Sequence, residues 1–381
     1  MLDYTNWPES CAKLRKTYES LQPICISVNR LLRDTETIIV YGAGYNGLAA
    51  VRELRVQGVA VKYFCDSNEK LIGKVICGIP VLGLERLREI SRNTAIIITP
   101  SFASVYIEKM LIEMGFTNLF VYGYALGNHI PLKFFSEKSE EKQRIAAQNK
   151  EKIDYVMSRL ADEHSLDVFS ANMKLWLYGE YEEAVGVRTN EGYYPSDIIT
   201  LENDEVFVDC GAYNGDSVLE FVEKTNGNYR MIYAYEADEL SYEMAKRALT
   251  TKMIDNVSIS NIGVFNKKTT RCFANDGYLG NRIIIEGGIT IPVDSLDNLL
   301  RERPHPITFI KMDIEGAELE ALHGAHEIIR TDAPKLAISV YHKYGDIWDI
   351  PHYILTHFTG YKIYLRNEYA FCDNICFAVK D

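Results

Sequence analysis

Residues 205–217 read EVFVDCGAYNGDS, and this stretch decides the fold. A short apolar run, Val206 to Val208, ends on Asp209 and gives way to a turn holding Gly211 and Gly215; Asp216 and Ser217 then stand where a helix begins. Strand, glycine turn and helix open a βαβ unit whose turn lies at the carboxyl edge of a parallel sheet. The pattern continues outward. Strand-like runs stand at 205–210, 230–236, 257–262, 307–313 and 335–342, with helical stretches between most of them. Two last runs, 361–366 and 374–380, are close enough for an antiparallel hairpin. Strands alternating with helices predict a parallel sheet covered on both faces.

Upstream the alternation occurs once more. Thr37 to Tyr41 is strand-like, and YGAGYNG at 41–47 carries the G-x-G-x-x-G spacing at Gly42, Gly44 and Gly47 before a helix over 48–57. Val59 to Cys65 reads as a strand ending at Asp66, 19 residues after Gly47, close to the distance at which an acid meets a ribose. Runs at 95–99 and 119–122 flank a helix that reaches Met114, with Gly115 as its cap. Residues 1 to 35 read as an amphipathic helix through Leu14, Leu21, Ile24 and Val28. Residues 136–159 turn helical and highly charged, a solvated face. The expected class is α/β with two Rossmann-like domains: a helical segment over 1–35, one domain over 36–132, a helical linker over 133–193 and a second domain over 194–381.

Composition narrows the partners. Lys plus Arg number 41 against 53 for Asp plus Glu, a net charge of −12 with no basic run to offset it, so nucleic acid is not the expected partner. No run approaches the ~20 apolar residues that span a bilayer, and no membrane partner is expected. The opening MLDYTNWPESCAKLRK lacks the apolar centre of a secretory signal. The eight Cys are scattered, several within strand-like runs (Cys65, Cys77, Cys210, Cys272). There is no CxxC pair, and Cys372 and Cys376 have no His pair beside them, so zinc ligation is not expected. Buried free thiols fit a reducing compartment, and the expected location is cytoplasmic.

Chemistry concentrates in the second half. MIYAYEAD at 231–238 sets Glu236 at a strand end, where a carboxylate accepts both hydroxyls of a ribose. ITFIKMDIEGAELEALHGA at 307–325, with VDSLDNLL (293–300) before it and LAISVYHK (336–343) after it, resembles the FkbM family of S-adenosylmethionine-dependent methyltransferases. The resemblance runs from about Tyr194 to Asp381, with its hallmark at Lys311, Asp313, Glu315 and Gly316. It implies a class I methyltransferase sheet closed by the hairpin, with S-adenosylmethionine as cofactor. It also implies that Asp209, Gly211, Asn214, Asp216, Glu236 and Asp313 line the cofactor site, with Ile262 and Gly263 near adenine. Many relatives carry Glu two residues before the His of the fifth strand; here that position is Val340.

Methyl transfer is an in-line displacement that needs alignment and, for a hydroxyl acceptor, a proton acceptor. His342, closing the run Leu336 to Val340, is expected as the base, with Asp313 and Glu315 as competitors. The plainer alternative is that Asp313 and Glu315 only cap the following helix. The same two acids hint at a divalent cation, but two acids at i, i+2 are a thin signature and no metal ligands are assigned.

DSNEKLIGKVICGIPVLG at 66–83 resembles the N-terminal nucleotide-binding halves of sugar-modifying acetyltransferases and polysaccharide-type epimerases, over about residues 35 to 125. That implies a nucleotide or nucleotide-sugar at Gly42, Gly44, Gly47 and Asp66; a scaffold without ligand is the alternative. The expected reaction is O-methylation of a small-molecule acceptor such as a sugar or nucleotide-sugar. A NAD-dependent oxidoreductase and a non-catalytic nucleotide-sugar binder are the competing readings. Hydride transfer lacks its catalytic pair in the first domain, since Tyr242 and Lys246 lie in the second. Acceptor and oligomeric state are not legible.

Overall fold

The first strand, β1 (Ile38–Tyr41, IIVY), is buried along its whole length, as expected of a strand covered on both faces. It appears in a computed structural model that describes residues 37–56, 59–99, 104–121, 139–178, 182–189, 191–273, 283–284, 289–368 and 373–380. The amphipathic helix expected over 1 to 35 lies outside the described residues. The chain divides into two units, one made of residues up to Asn149 with Ala171–Glu183, the other of Lys150–Ser170 with Ala184–Asp381.

In the first unit β1 leads into α1 (Tyr45–Val56), then β2 (Tyr63–Cys65), β3 (Val75–Ile76), β4 (Ile79–Leu82), α2 (Leu84–Leu87), β5 (Ala95–Ile98), α3 (Ser104–Glu113) and β6 (Leu119–Val121). The sheet order is β3-β4-β2-β1-β5-β6, parallel except for the β3–β4 hairpin. That hairpin lies within the 66–83 stretch and was not expected as strands. Cys77 sits in its turn, exposed and at a φ of 50°, so the expectation that it is a buried strand thiol is corrected. Cys65 is buried as expected. Ile38, Val40, Leu54, Phe64, Val81 and Ile97 form the core.

The segment read as a linker is helical and is shared between the units. It contains α4 (Ser139–Gln148), α5 (Lys150–Met157), α6 (Glu163–Tyr178) and α7 (Glu182–Gly186). Residues on either side of α6 add to the second unit's edge strand. Ala161 N–H donates to Ile363 O and Thr189 N–H to Asn367 O, while Arg366 binds Asp162 and Asp197. An edge strand covered in this way offers no open ladder.

The second unit runs β7 (Val206–Cys210), α8 (Asp216–Lys224), β8 (Met231–Glu236), α9 (Glu239–Thr251), β9 (Val257–Asn261), β10 (Gly263–Val264), β11 (Thr269–Phe273), β12 (Ile283–Ile284), β13 (Ile289–Asp294), α10 (Leu296–Leu299), β14 (Phe309–Met312), α11 (Glu318–His323), α12 (His326–Asp332), β15 (Lys335–Ser339), α13 (Asp346–His357), β16 (Tyr361–Glu368) and β17 (Asp373–Lys380). Its main sheet has the order β16-β17-β15-β14-β7-β8-β9. The five βα strands are parallel, and β17 pairs antiparallel with both β15 and β16, so the expected terminal hairpin is present. Beneath β7, Phe207 stacks on Phe221 of α8 at 4.5 Å and packs on Phe309 of β14 at 5.2 Å. Each such ring contributes about 1.5–3 kcal/mol by leaving water. A smaller sheet, β10-β13-β11-β12, follows β9 and was not read from the sequence. Strand order reverses between β7 and β14, which makes the crevice at their carboxyl ends the place where such sheets take ligands.

Candidate functional site

The carboxyl end of β7 shows what the glycine turn is for. Gly211 has a φ of 87°, and a Cβ there would lie 1.9 Å from the Asp313 carbonyl oxygen. Glycine therefore lets the turn abut the exit of β14. Lys311 Nζ fastens the same junction, donating to Gly211 O at 2.7 Å and facing Asp209 Oδ1 at 3.0 Å. Burial disfavours the Lys311 charge, yet Asp209 and Asp313 outweigh it and raise its pKa. Asp209 is fully buried, and its second oxygen accepts from Ser217 Oγ at 2.5 Å. Burial raises its pKa, with Lys311 and Ser217 opposing. The structure therefore sets Asp209 beneath the turn rather than on its open face.

Glu236 stands at the end of β8 with its carboxylate over the turn. Oε2 accepts Tyr213 N–H at 2.8 Å and Oε1 accepts Asp238 N–H at 2.8 Å. Burial raises its pKa against those two donors. Each oxygen keeps a lone pair for a further donor, the arrangement that holds a ribose diol. Asn214 Oδ1 accepts from Asp216 N–H, and Asp216 Oδ1 from Ser217 N–H, so both shape the start of α8. Asn261, which the sequence did not single out, donates to the Glu236 and Ala237 carbonyls. Ile262 is partly buried, and Gly263 is packed so closely that a Cβ would fall 2.9 Å from Val293 and 3.5 Å from Ala237.

The ends of β14 and β15 gather the acids. Asp313 accepts from Tyr193 OH at 2.8 Å and Tyr341 OH at 3.2 Å. Burial raises its pKa, but His342 and Lys311 outweigh that and the net shift is downward. Glu315 sits at a φ of 56°, a left-handed conformation that costs a non-glycine residue about 1–3 kcal/mol. Its side chain is 38% exposed. Burial and neighbouring acids raise its pKa to about 7, with His342 opposing. His342 is buried, with Nδ1 2.9 Å from Glu318 Oε1 and Nε2 3.4 Å from Asp313 Oδ1 and 3.6 Å from Glu315 Oε2. Burial works against the imidazolium, yet the three carboxylates raise its pKa to about 10. The expectation of a neutral imidazole near its ordinary pKa does not match these surroundings.

Helix capping by Asp313 and Glu315 is not observed. Neither accepts a helix N–H; in the loop before α11 the N–H groups of Ile314 and Gly316 donate to Glu318 Oε1 at 2.9 and 3.3 Å. Glu318, Tyr193 and Tyr341 were missed in the sequence. Tyr193 lies 120 residues from Asp313, and no spacing connects them. Glu318 reads as an ordinary acid in a helical run. Val340, at the position of the relatives' Glu, is fully buried with its N–H on Asn374 O.

In the first unit, Asp66 Oδ2 accepts Ala43 N–H at 2.7 Å and Oδ1 accepts Asn68 N–H at 2.8 Å. Gly42 has a φ of 97°. A Cβ at Gly47 would meet Gly42 O at 1.9 Å, whereas Gly44 is exposed with nothing within 4 Å. Tyr242 and Lys246 form a helix-surface pair, the ammonium 5.3 Å from the ring centre.

Residues 209–363 match the model of the methyltransferase FkbM domain. The whole chain resembles the crystal structure of methyltransferase FkbM from Methylobacillus flagellatus KT, with a TM-score of 0.74 at 20% identity over 99% of this chain and 100% of that one. At that identity the likeness speaks to the fold. An rRNA methylase from Streptococcus thermophilus and a precorrin-6y C5,15-methyltransferase from Geobacter metallireducens GS-15 overlap 47% of this chain, covering 89% and 82% of theirs. Their TM-scores are 0.32 and 0.31, at 16% and 15% identity. No curated protein matches the sequence. The stretch matching the family model lies within the second unit. No helix among the described residues is long and apolar enough to cross a membrane.

Proposed function

We propose that the second unit transfers a methyl group from S-adenosylmethionine to a hydroxyl of a small acceptor, such as a sugar or nucleotide-sugar. One observation carries the reading: the Glu236 carboxylate is fixed over the Gly211 to Gly215 turn by Tyr213 N–H, with lone pairs to spare. Glu236 holds the ribose, the turn receives the methionine end, and Ile262 lies near adenine. Asp209 acts through Lys311 and Ser217 by shaping the turn. The cofactor supplies an electrophilic methyl group; the chain supplies alignment and a proton acceptor. Glu315 is the base by geometry. Both Asp313 oxygens already accept phenol hydroxyls and both His342 nitrogens face carboxylates, while Glu315 remains partly open at the edge.

The first unit binds a nucleotide or nucleotide-sugar at Gly42 to Gly47. Its supporting observation is Asp66, wired to Ala43 as Glu236 is to Tyr213. The oxidoreductase reading gains nothing, because Tyr242 and Lys246 stand on a helix of the second unit, with Lys246 beside the Tyr242 ring and Glu243. Mass spectrometry of the native protein tests these assignments. S-adenosylmethionine or its homocysteine product is the expected companion, or binds on addition; NAD bound in place of either overturns the reading.

A further inference from the structure

Methyl transfer as described leaves Glu318 and His342 without a direct task, and both are buried with unsatisfied atoms. Glu318 opens α11 with its side chain 1% exposed. Its Oε1 is occupied by the Ile314 and Gly316 N–H groups, but its buried Oε2 has no partner. His342 Nδ1 comes within 2.9 Å of Oε1, yet off the line of a ring N–H···O bond, so this nitrogen too lacks a hydrogen-bond partner. Two donor atoms in contact without a proton aligned between them resemble neighbouring ligands of one ion.

The wider geometry fits. Ligand atoms from Asp313, Glu318 and His342 all lie within 4.8 Å of one another. Opposite ligands of one first-row cation stand about 4–4.6 Å apart, twice a metal–ligand distance of about 2.0–2.3 Å. Charge points the same way. Asp313, Glu315 and Glu318 surround one imidazole, Asp346 acts on Glu318 from beside it, and Lys311 is shared with Asp209. Buried negative charge in excess of its partners is costly unless a cation joins it.

We propose that Asp313, Glu318 and one ring nitrogen of His342 bind a single divalent first-row cation, Mn²⁺ or Zn²⁺. Two carboxylates with an imidazole favour these over Mg²⁺ or Ca²⁺, which take all-oxygen shells. The site is distinct from the cofactor's ribose and stands whether or not the edge performs methyl transfer.

The test titrates the chelator-stripped full chain with Mn²⁺, following the free-ion electron paramagnetic resonance signal, with Zn²⁺ as competitor. About one equivalent should bind, and Asp313→Asn and Glu318→Gln should each weaken it by at least about tenfold. Because Glu318 also holds two backbone N–H groups, thermal melts check that variant, and Asp313→Asn keeps the test open should it fail to fold. Asp204→Asn, at an exposed acid paired with Arg230, should change nothing. No binding up to about 1 mM, or binding that Asp313→Asn leaves intact, overturns the site in favour of a protonated His342 held by acids. S-adenosylhomocysteine is titrated in the same preparation with and without the cation. Its binding without any cation uptake sinks the metal site alone, and cation uptake without it sinks the methyltransferase assignment alone.

Discussion

The two glycine turns of this chain are wired alike and braced differently. In both, a carboxylate at the end of the second strand accepts the N–H of a turn residue 23 positions earlier, Ala43 to Asp66 and Tyr213 to Glu236. In both, the other oxygen accepts the N–H two residues on, from Asn68 and Asp238. The bracing differs. Gly47 closes the first turn on itself, since its Cβ would strike Gly42 O, whereas Gly211 presses the second turn against Asp313 O at the exit of β14. The neighbouring strand ends differ as well. After β5 stands Thr99, whose hydroxyl is engaged with Tyr41 O and Gly42 O; after β14 and β15 stand Asp313, Glu315 and His342. On the proposed reading, a turn with its acid holds a nucleoside. Reaction needs groups from the next strands, and only the second unit, among the described residues, joins such groups rigidly to the turn.

The comparison can be broken at several points. The largest effect is expected at Glu315, which has no counterpart among the first unit's described residues. With an acceptor in hand, Glu315→Gln should lower turnover by about 10²–10⁴-fold and leave cofactor affinity unchanged. Steady-state kinetics beside calorimetry decide this, and near-normal turnover removes Glu315 as the base. Next comes the brace. Gly211→Ala forces a left-handed residue into a carbonyl oxygen and should cost about 3 kcal/mol or more in denaturant unfolding. Gly44→Ala, placed in open space, should change stability by less than about 1 kcal/mol. Equal costs would mean that the turn is not tied to β14. The smallest effect concerns the first unit's ligand. Nucleoside-diphosphate sugars should raise the melting temperature of the native chain and not of Gly44→Val, because a side chain there blocks the approach of a pyrophosphate to the α1 N-terminus. Identical shifts in both proteins would leave the first unit a scaffold.

Much of this was legible in the sequence where physics is local. β7, β14 and β15 are short runs of buried residues, and apolar strings bounded by turns announce themselves. Glu236 stood out because strand, turn and acid follow one another at a set spacing. The β10 to β13 sheet was missed because β10 and β12 are two residues each and Pro292 interrupts the apolar run of β13. The pairing of the 133–193 segment with β16 was not legible because it spans some 200 residues, as between Leu160 and Ile363. His342 stands at the same sheet edge as Asp313, but the sequence read it with its ordinary chemistry. Its surroundings depend on Glu318, whose carboxylate turns inward from a helix that looks solvent-facing on paper.

The central claim is that the second turn, and not the first, holds the methyl donor. Isothermal titration of S-adenosylhomocysteine into native protein, Glu236→Ala and Asp66→Ala tests it most directly. Loss of the Glu236 carboxylate should weaken binding by about 1.5–3 kcal/mol in Glu236→Ala, the scale of a hydrogen bond to a charged group, with Asp66→Ala indistinguishable from native. Unchanged affinity in Glu236→Ala, or a loss confined to Asp66→Ala, would contradict it.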